Sequence, residues 1–303
     1  MLCRLCPRNC NTDRSENTAS GFCGQPLDPV ISRAGLHHWE EPVISGTNGS
    51  GAVFFTGCNL KCVFCQNYDI STQNKGIPVT VERLKAIYRE LISQGAHNIN
   101  LVTPGHFTEA VASSLTEKLP VPVVYNTNSY EKVDTLARLE GKIDIYLPDL
   151  KYLDPTLSRD LSRAQDYPQV AKAAISEMYR QTGPVVLGDD GLLKRGVIIR
   201  HLALPGEMQN TLDVIDYVSK TYPGEQVMFS LMFQYLPCGE VESLPERYAA
   251  LRRKLVFKEL KQLREALFDS KIEYGFIQSY SSAKAEFIPS FDGSGVLEQD
   301  TII

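Results

Sequence analysis

The segment Thr56-Gly57-Cys58-Asn59-Leu60-Lys61-Cys62-Val63-Phe64-Cys65-Gln66-Asn67 constrains this chain more than any other. It sets three cysteines at C-x3-C-x2-C spacing directly after Gly51–Thr56, an apolar run that reads as a short buried strand. Three thiolates on one tight loop ligate three corners of a cubic iron–sulfur cluster and leave the fourth iron without a protein ligand. A structural zinc site needs four ligands; this loop offers three, and the next histidine along the chain is His97. An open iron invites a bound molecule.

Composition narrows the setting. The chain has 303 residues, 43% hydrophobic and 22% charged, enough to bury a real core. Its net charge of −5 contains no long run of one sign, which argues against nucleic-acid or membrane-surface binding by bulk electrostatics. No apolar run approaches a transmembrane span, and Met1-Leu2-Cys3-Arg4 does not open a secretory signal. Seven of the eight cysteines fall before residue 66 at metal-ligand spacings, so they read as reduced thiolates. A cytoplasmic protein with no membrane or nucleic-acid partner is expected.

A second cysteine set occupies the N-terminus: Cys3, Cys6 and Cys10, then Cys23 after twelve intervening residues. Four ligands make a closed site able to tie together a segment rich in turn residues, with metal binding supplying folding energy. Zinc and an auxiliary iron–sulfur cluster both fit. Residues 26–50 read as a linker, so the expected organisation is 1–50, a cysteine-rich metal-binding segment and linker, then 51–303. Within the linker, Trp39 reads as a packing anchor.

From residue 51 onward, apolar strand-like runs alternate with helix-length amphipathic segments. The runs lie near 52–56, 98–103, 122–126, 143–147, 196–203, 226–233 and 274–278. Helices are expected near 79–94, 107–117, 131–139, within 155–182, near 208–221 and at 244–268. This alternation implies an α/β fold with a parallel sheet covered by helices. The runs are followed by polar or turn-forming residues: Thr103-Pro104-Gly105-His106, Asn126-Thr127-Asn128-Ser129 and Pro148-Asp149-Leu150-Lys151, with Arg200 and His201 inside the fifth run. In parallel barrels the working residues sit at such ends.

The cysteine triad after the first of these runs resembles the signature of the radical S-adenosylmethionine (SAM) superfamily, and Phe64 matches the position near the adenine. Further segments are similar to the pyruvate formate-lyase activating enzyme group. Thr127-Asn128 matches its ribose-contacting Thr-Asn-Gly, with Ser129 in place of glycine. Asp149-Leu150-Lys151 matches its Asp-Leu-Lys, and Ile199-Arg200-His201 through Pro205-Gly206 its Val-Arg…Pro-Gly strand. The resemblance covers about residues 51 to 240 and is nearest to a branch sharing the four-cysteine N-terminus. One departure stands out: Pro104-Gly105-His106 replaces the Gly-Gly-Glu that holds the SAM amino group, leaving backbone carbonyls of Thr103 and Pro104 for that task.

The resemblance implies a partial (β/α)6 barrel with a C-terminal extension, joined to a small N-terminal cysteine-rich metal-binding segment. It implies a 4Fe-4S cluster on Cys58, Cys62 and Cys65, which make up the catalytic centre, and SAM held by Phe64, Thr103, Asn128, Asp149 and Arg200. Cys3, Cys6, Cys10 and Cys23 hold the second metal. The activity implied is that of an oxidoreductase: reductive cleavage of SAM to a 5′-deoxyadenosyl radical that abstracts hydrogen. The substrate is a glycine of a partner glycyl-radical enzyme, or another protein or small molecule. An electron donor such as flavodoxin or ferredoxin is a further expected partner. Each residue also has a plainer reading: Arg200 pairing a structural aspartate, Asp149 pairing Lys151, His106 on a solvated loop or against substrate, Cys238 an inert thiol. A non-catalytic metal-binding module is the reading from another class.

Overall fold

The apolar runs become neighbours in one sheet in a computed structural model of the chain, which describes residues 2–14, 20–278 and 289–298. The strands are β1 (Val30–His37), β2 (Ser50–Phe55), β3 (Ile77–Pro78), β4 (Ile99–Val102), β5 (Val123–Thr127), β6 (Ile145–Pro148), β7 (Val186–Leu187), β8 (Leu193–Leu202), β9 (Met228–Met232) and β10 (Gly275–Gln278). The helices are α1 (Pro42–Ser45), α2 (Tyr68–Ser71), α3 (Val81–Ser93), α4 (Thr108–Ser114), α5 (Val133–Leu136), α6 (Pro155–Ser162), α7 (Tyr167–Thr182), α8 (Met208–Thr221) and α9 (Phe257–Phe268). The sheet order is β10-β9-β8-β6-β5-β4-β2-β1-β3, with β7 folded against β8. Every neighbouring pair from β2 to β10 along that order is parallel, whereas β1 runs antiparallel to β2 and to β3. Among the described residues β10 pairs only β9, so the sheet stays open, as a partial barrel does. No helix among them is long and apolar enough to cross a membrane.

The strand runs were continuous in sequence because both faces are covered. Every residue of β2, β4, β5 and β6 is buried, the condition of a parallel sheet under helices. Helix α3 shows the outer layer: Thr80 caps it by accepting the Arg83 N–H at 3.1 Å, and Leu84, Ile87, Tyr88 and Leu91 form its buried stripe. Each such aliphatic side chain contributes about 2 kcal/mol through burial.

Three expectations need correction. The stretch 26–50, read as a linker, supplies β1, whose residues 31–37 pair with β2, and α1, whose Ile44 packs with Val124, Ile145, Leu147, Ile198 and Met228 to plug the barrel floor. The helical region 155–182 splits into α6 and α7, because Arg163 adopts a left-handed conformation (φ 53°) and Pro168 begins a fresh helix. The helix expected over 244–268 is a 3-10 segment, Glu246–Arg252, followed by α9. Glu259 accepts the Val256 N–H at 2.8 Å and starts α9 anew.

Candidate active site

The loop after β2 is bent by two left-handed residues, Gly57 (φ 80°) and Lys61 (φ 50°). A Cβ at Gly57 would stand 2.3 Å from Gln25 Cγ, so glycine is required. The turn buries Cys58 and Cys62 and half-buries Cys65. Each sulfur accepts a hydrogen bond from a different part of the fold. Asn128 Nδ2 donates to Cys58 (3.4 Å), Ser162 Oγ to Cys62 (3.0 Å) and Ser71 Oγ to Cys65 (3.3 Å). Burial pushes the Cys62 thiol up to about 12, against the pull of the Lys151 ammonium, and the Cys65 thiol up to about 11, against the Ser71 hydroxyl. Thiols so placed ionise only when a cation compensates them. The donors on each sulfur and that need for positive charge fit an iron–sulfur cluster.

In front of the loop lies a cavity of about 1020 Å³, lined by all three cysteines. Register explains what else meets it. Val102 pairs with Asn126, Thr127 with Pro148, and Asp149 bridges Arg200, so the C-terminal ends of β4, β5 and β6 and the C-terminal part of β8 share one level. Phe64, Thr103, Asn128, Asp149 and Arg200 all line the cavity, and Asn126 and Lys151 join them. Thr103 takes φ 57°, an unusual strain for a β-branched residue, and its N–H bonds Asn126 O at 2.8 Å. Phe64 is buried with its ring 6.1 Å from that of Tyr235.

Charge is concentrated at the cavity floor. Arg200 donates to Asp149 (3.0 Å), Glu40 (3.1 Å) and Asn126 Oδ1 (2.6 Å), while Lys151 Nζ donates to Asp149 at 2.7 Å. Burial alone would raise the Asp149 carboxyl, but the Lys151 and Arg200 charges outweigh it and hold it below the ordinary carboxylate range. Burial would likewise lower Lys151, and Asp149 outweighs that and holds it above its usual value. Lys151, Arg200 and the Asp149 carboxylate therefore face the cavity ionised. Tyr167 fixes the loops around them: its hydroxyl donates to Asp149 O (2.7 Å) and Asn128 O (3.0 Å) and accepts Lys151 N–H (3.0 Å).

His106 is placed otherwise than either of its sequence readings. His106 is 3% exposed, with Nε2 at 2.6 Å from Thr56 O, and burial pushes its imidazole down to about 3. Its own carbonyl accepts Arg14 at 2.6 Å. It clasps the N-terminal segment to the cluster loop and stands neither in solvent nor at the cavity wall. Pro104 O already accepts the Phe107 N–H at 2.7 Å. Cys238 is half-buried and donates its thiol to Phe64 O at 3.1 Å.

The sequence reading missed His37, His38, Trp39 and Glu40, which line the far side of the cavity. Trp39 is 60% exposed there and is no packing anchor. Its neighbour Glu41 is 1% exposed, and burial raises its carboxyl against the pull of the Arg200 charge. The available signal was two adjacent carboxylates and two histidines around the only tryptophan.

The N-terminal cysteines also converge. Cys3, Cys6, Cys10 and Cys23 line one small void of about 10 Å³ with Arg14 and His106. Burial pushes Cys6 up to about 11, and the other three thiols push the same way. Phe22 N–H donates to Cys10 Sγ at 3.3 Å. Among the described residues no three or more His, Cys, Asp or Glu side chains stand together as ligands for a single metal ion.

A partial parallel barrel with a three-cysteine loop after its first parallel strand, opening on a large polar cavity, defines a class of cluster-bearing barrels. The family model of the radical SAM superfamily matches residues 52–216, more than half of the chain, and the chain belongs to that superfamily. It is 30% identical over 275 residues to the uncharacterized protein MJ0674 of Methanocaldococcus jannaschii, across 87% of this chain and 73% of that protein. Streptococcus suis SuiB bound to S-adenosylmethionine superposes with a TM-score of 0.50 at 16% identity over 77% of this chain. The match covers 51% of SuiB, so this chain spans about half its length. A point variant of spore photoproduct lyase superposes with a TM-score of 0.51 at 14% identity, over 81% of each chain. At such identities the likeness is one of fold, and that fold is the radical SAM partial barrel.

Proposed function

We propose that this chain holds a 4Fe-4S cluster on Cys58, Cys62 and Cys65, binds SAM at the open iron and abstracts hydrogen from a substrate in the cavity. The observation that carries the reading is the presentation of three hydrogen-bonded thiols at the wall of a cavity of about 1020 Å³. Bound there, the cluster and SAM supply one-electron cleavage of the sulfonium, giving methionine and a 5′-deoxyadenosyl radical. The chain's own residues position and shield. Lys151, whose ammonium donates to Asp149, is the cation best placed for the SAM carboxylate. Arg200, with Asp149, Glu40 and Asn126 on its guanidinium, sets the level of the floor. Thr103 O serves the amino group, Asn128 the ribose, and Phe64 the adenine. The apolar part of the wall, with Phe54, Phe55, Ile70, Val102 and Leu202, limits water around the reacting centre.

A cavity of this volume lies at the top of the range for one small ligand, which leaves space beside SAM for a second reactant. A glycine of a partner glycyl-radical enzyme is the first substrate reading. Another protein or a small molecule is the second. It is favoured by the Pro104-Gly105-His106 turn, where a buried His106 offers SAM no carboxylate. A flavodoxin- or ferredoxin-type donor in the cytoplasm supplies the electron. The four N-terminal thiols line one small void together, which supports reading them as ligands of zinc or an auxiliary cluster.

The test is anaerobic reconstitution, counts of iron, sulfide and zinc, and 5′-deoxyadenosine formation from SAM with dithionite. About four irons on the triad, with deoxyadenosine formed, supports the reading. Protein that takes up no iron at the triad overturns it.

A further inference from the structure

One side chain joins the two cysteine sites. Arg8 lies between Cys6 and Cys10 of the N-terminal set, yet its guanidinium reaches the cluster loop. Nε donates to Asn59 O at 2.8 Å, Nη2 donates to Ser162 O at 3.0 Å, and Nη1 donates to Arg163 O. The planar group is held between two rings, with Phe22 3.9 Å and Tyr130 5.1 Å from the guanidinium carbon. Phe22 belongs to the N-terminal site, where its N–H donates to Cys10 Sγ at 3.3 Å.

The three carbonyls are not arbitrary acceptors. Ser162 and Arg163 end helix α6, and the carbonyls at a helix C-terminus lack partners within the helix. Val63 N–H, from the cluster loop, takes Leu161 O at 3.0 Å, and Arg8 takes the next two. The cap of α6 is thus built jointly by the two cysteine segments. Ser162, whose carbonyl Arg8 holds, is the residue whose hydroxyl donates to Cys62 Sγ at 3.0 Å. Asn59, whose carbonyl Arg8 also holds, accepts from the Asn128 amide at 2.8 Å, and that amide is the donor to Cys58 Sγ. A guanidinium has a fixed fork of donors, so moving it disturbs both sulfur donors together.

We propose that Arg8 is a positioning residue that transmits the state of the N-terminal cysteine site to the hydrogen bonds on Cys58 and Cys62. In doing so it sets the reduction potential of the cluster held there. The proposal rests on the reading that the triad holds such a cluster. A filled N-terminal site fixes the Cys6–Cys10 turn and Phe22, and through them the guanidinium. An emptied site frees all three. Hydrogen bonds to cluster sulfurs favour the reduced state, so their loss lowers the potential.

The experiment is an EPR-monitored redox titration of the reconstituted full chain. The proteins compared are the wild type, Arg8→Lys, Arg8→Gln, Phe22→Leu and Cys10→Ser, with iron counted in each. Where iron also fills the N-terminal site, its signal is identified in the Cys58→Ala protein. Each of the four substitutions is expected to lower the midpoint of the triad cluster, on the order of a tenfold change in the reduction equilibrium, 59 mV for one electron. The Arg8→Gln/Cys10→Ser double variant is expected to shift no further than either single change, since both act through one element. Arg8→Lys keeps the charge and Phe22→Leu keeps every ligand and the guanidinium, so the comparison survives failure of one variant to fold. An unchanged midpoint in the Arg8 and Phe22 variants, or additive shifts in the double variant, overturns the coupling. Wild-type protein without iron at the triad overturns the cluster reading itself, a result distinguishable from either.

Discussion

Two cysteine sets sit at one end of this barrel and face opposite kinds of space. The triad Cys58, Cys62 and Cys65 looks onto about 1020 Å³; the tetrad Cys3, Cys6, Cys10 and Cys23 encloses about 10 Å³. The smaller void is at the limit for a single water molecule, so no organic ligand fits there. The larger void admits a ligand against the open side of whatever the triad holds. Ligand count and free space agree: three thiols with room in front, four with none. Reactivity follows the space as much as the ligands.

That contrast is broken or sharpened first by removing ligands. Cys62→Ala is expected to abolish deoxyadenosine formation, a loss of at least about 10³-fold, roughly 4 kcal/mol or more. Its thermal midpoint in the absence of iron should stay near wild type. Cys6→Ala is expected to act oppositely in kind, lowering the thermal midpoint by about 2–4 °C for each kcal/mol of metal-linked stability lost. Melting curves and deoxyadenosine assays on the two variants check this. Equal destabilisation by both would erase the distinction.

The ion network tests the cavity floor. Asp149→Ala leaves Lys151 and Arg200 buried with one carboxylate fewer between them, and is expected to cost about 3–5 kcal/mol in urea unfolding. Asp149→Asn keeps the shape and accepts one hydrogen bond, so its cost should be smaller. A loss below about 1 kcal/mol for the alanine variant would show that solvent screens this level of the barrel.

A smaller effect, conditional on pH, separates the closed core from the open cavity. His201, next to Arg200 but facing away from the cavity, is fully buried between Leu150 O (2.6 Å) and Thr211 Oγ1 (2.9 Å). Burial pushes its imidazole down from 6.5 to about 4. The unfolded chain therefore binds the proton first as pH falls. The stability held by the neutral ring is complete above pH 6.5 and drains away toward pH 4. By about pH 4.5 the loss is roughly 2–3 kcal/mol. His201→Gln should lack that part of the acid sensitivity, read as the difference between variant and wild-type urea midpoints across the window.

How much of this was legible follows from where the information sits. The parallel strands were readable because burial on both faces favours continuous apolar runs, as Val123–Tyr125 and Ile145–Leu147 show. The triad was readable because its ligands lie within eight residues on one loop. β1 was not, because Ser32, Arg33 and Gly35 interrupt its apolar pattern and its partner strand alone makes it a strand. Glu40 was not, because its role depends on Arg200, 160 residues away. The break at Arg163 was hidden because a left-handed arginine carries no local signature of its own.

Trp39 gives the smallest predicted effect and the sharpest reading of the open side. A tryptophan that anchored a core would cost about 3–5 kcal/mol when cut to alanine. At 60% exposure on the cavity rim, Trp39→Ala is expected to shift the urea midpoint by no more than about 0.5 kcal/mol. A measurable loss of stability would return it to the role its sequence suggested. Unchanged stability, with altered turnover once a substrate is in hand, would place the second reactant between the rim of β1 and the cysteines. The wide void would then be a path in to the cysteine triad, and the narrow one among the N-terminal thiols would have no such role.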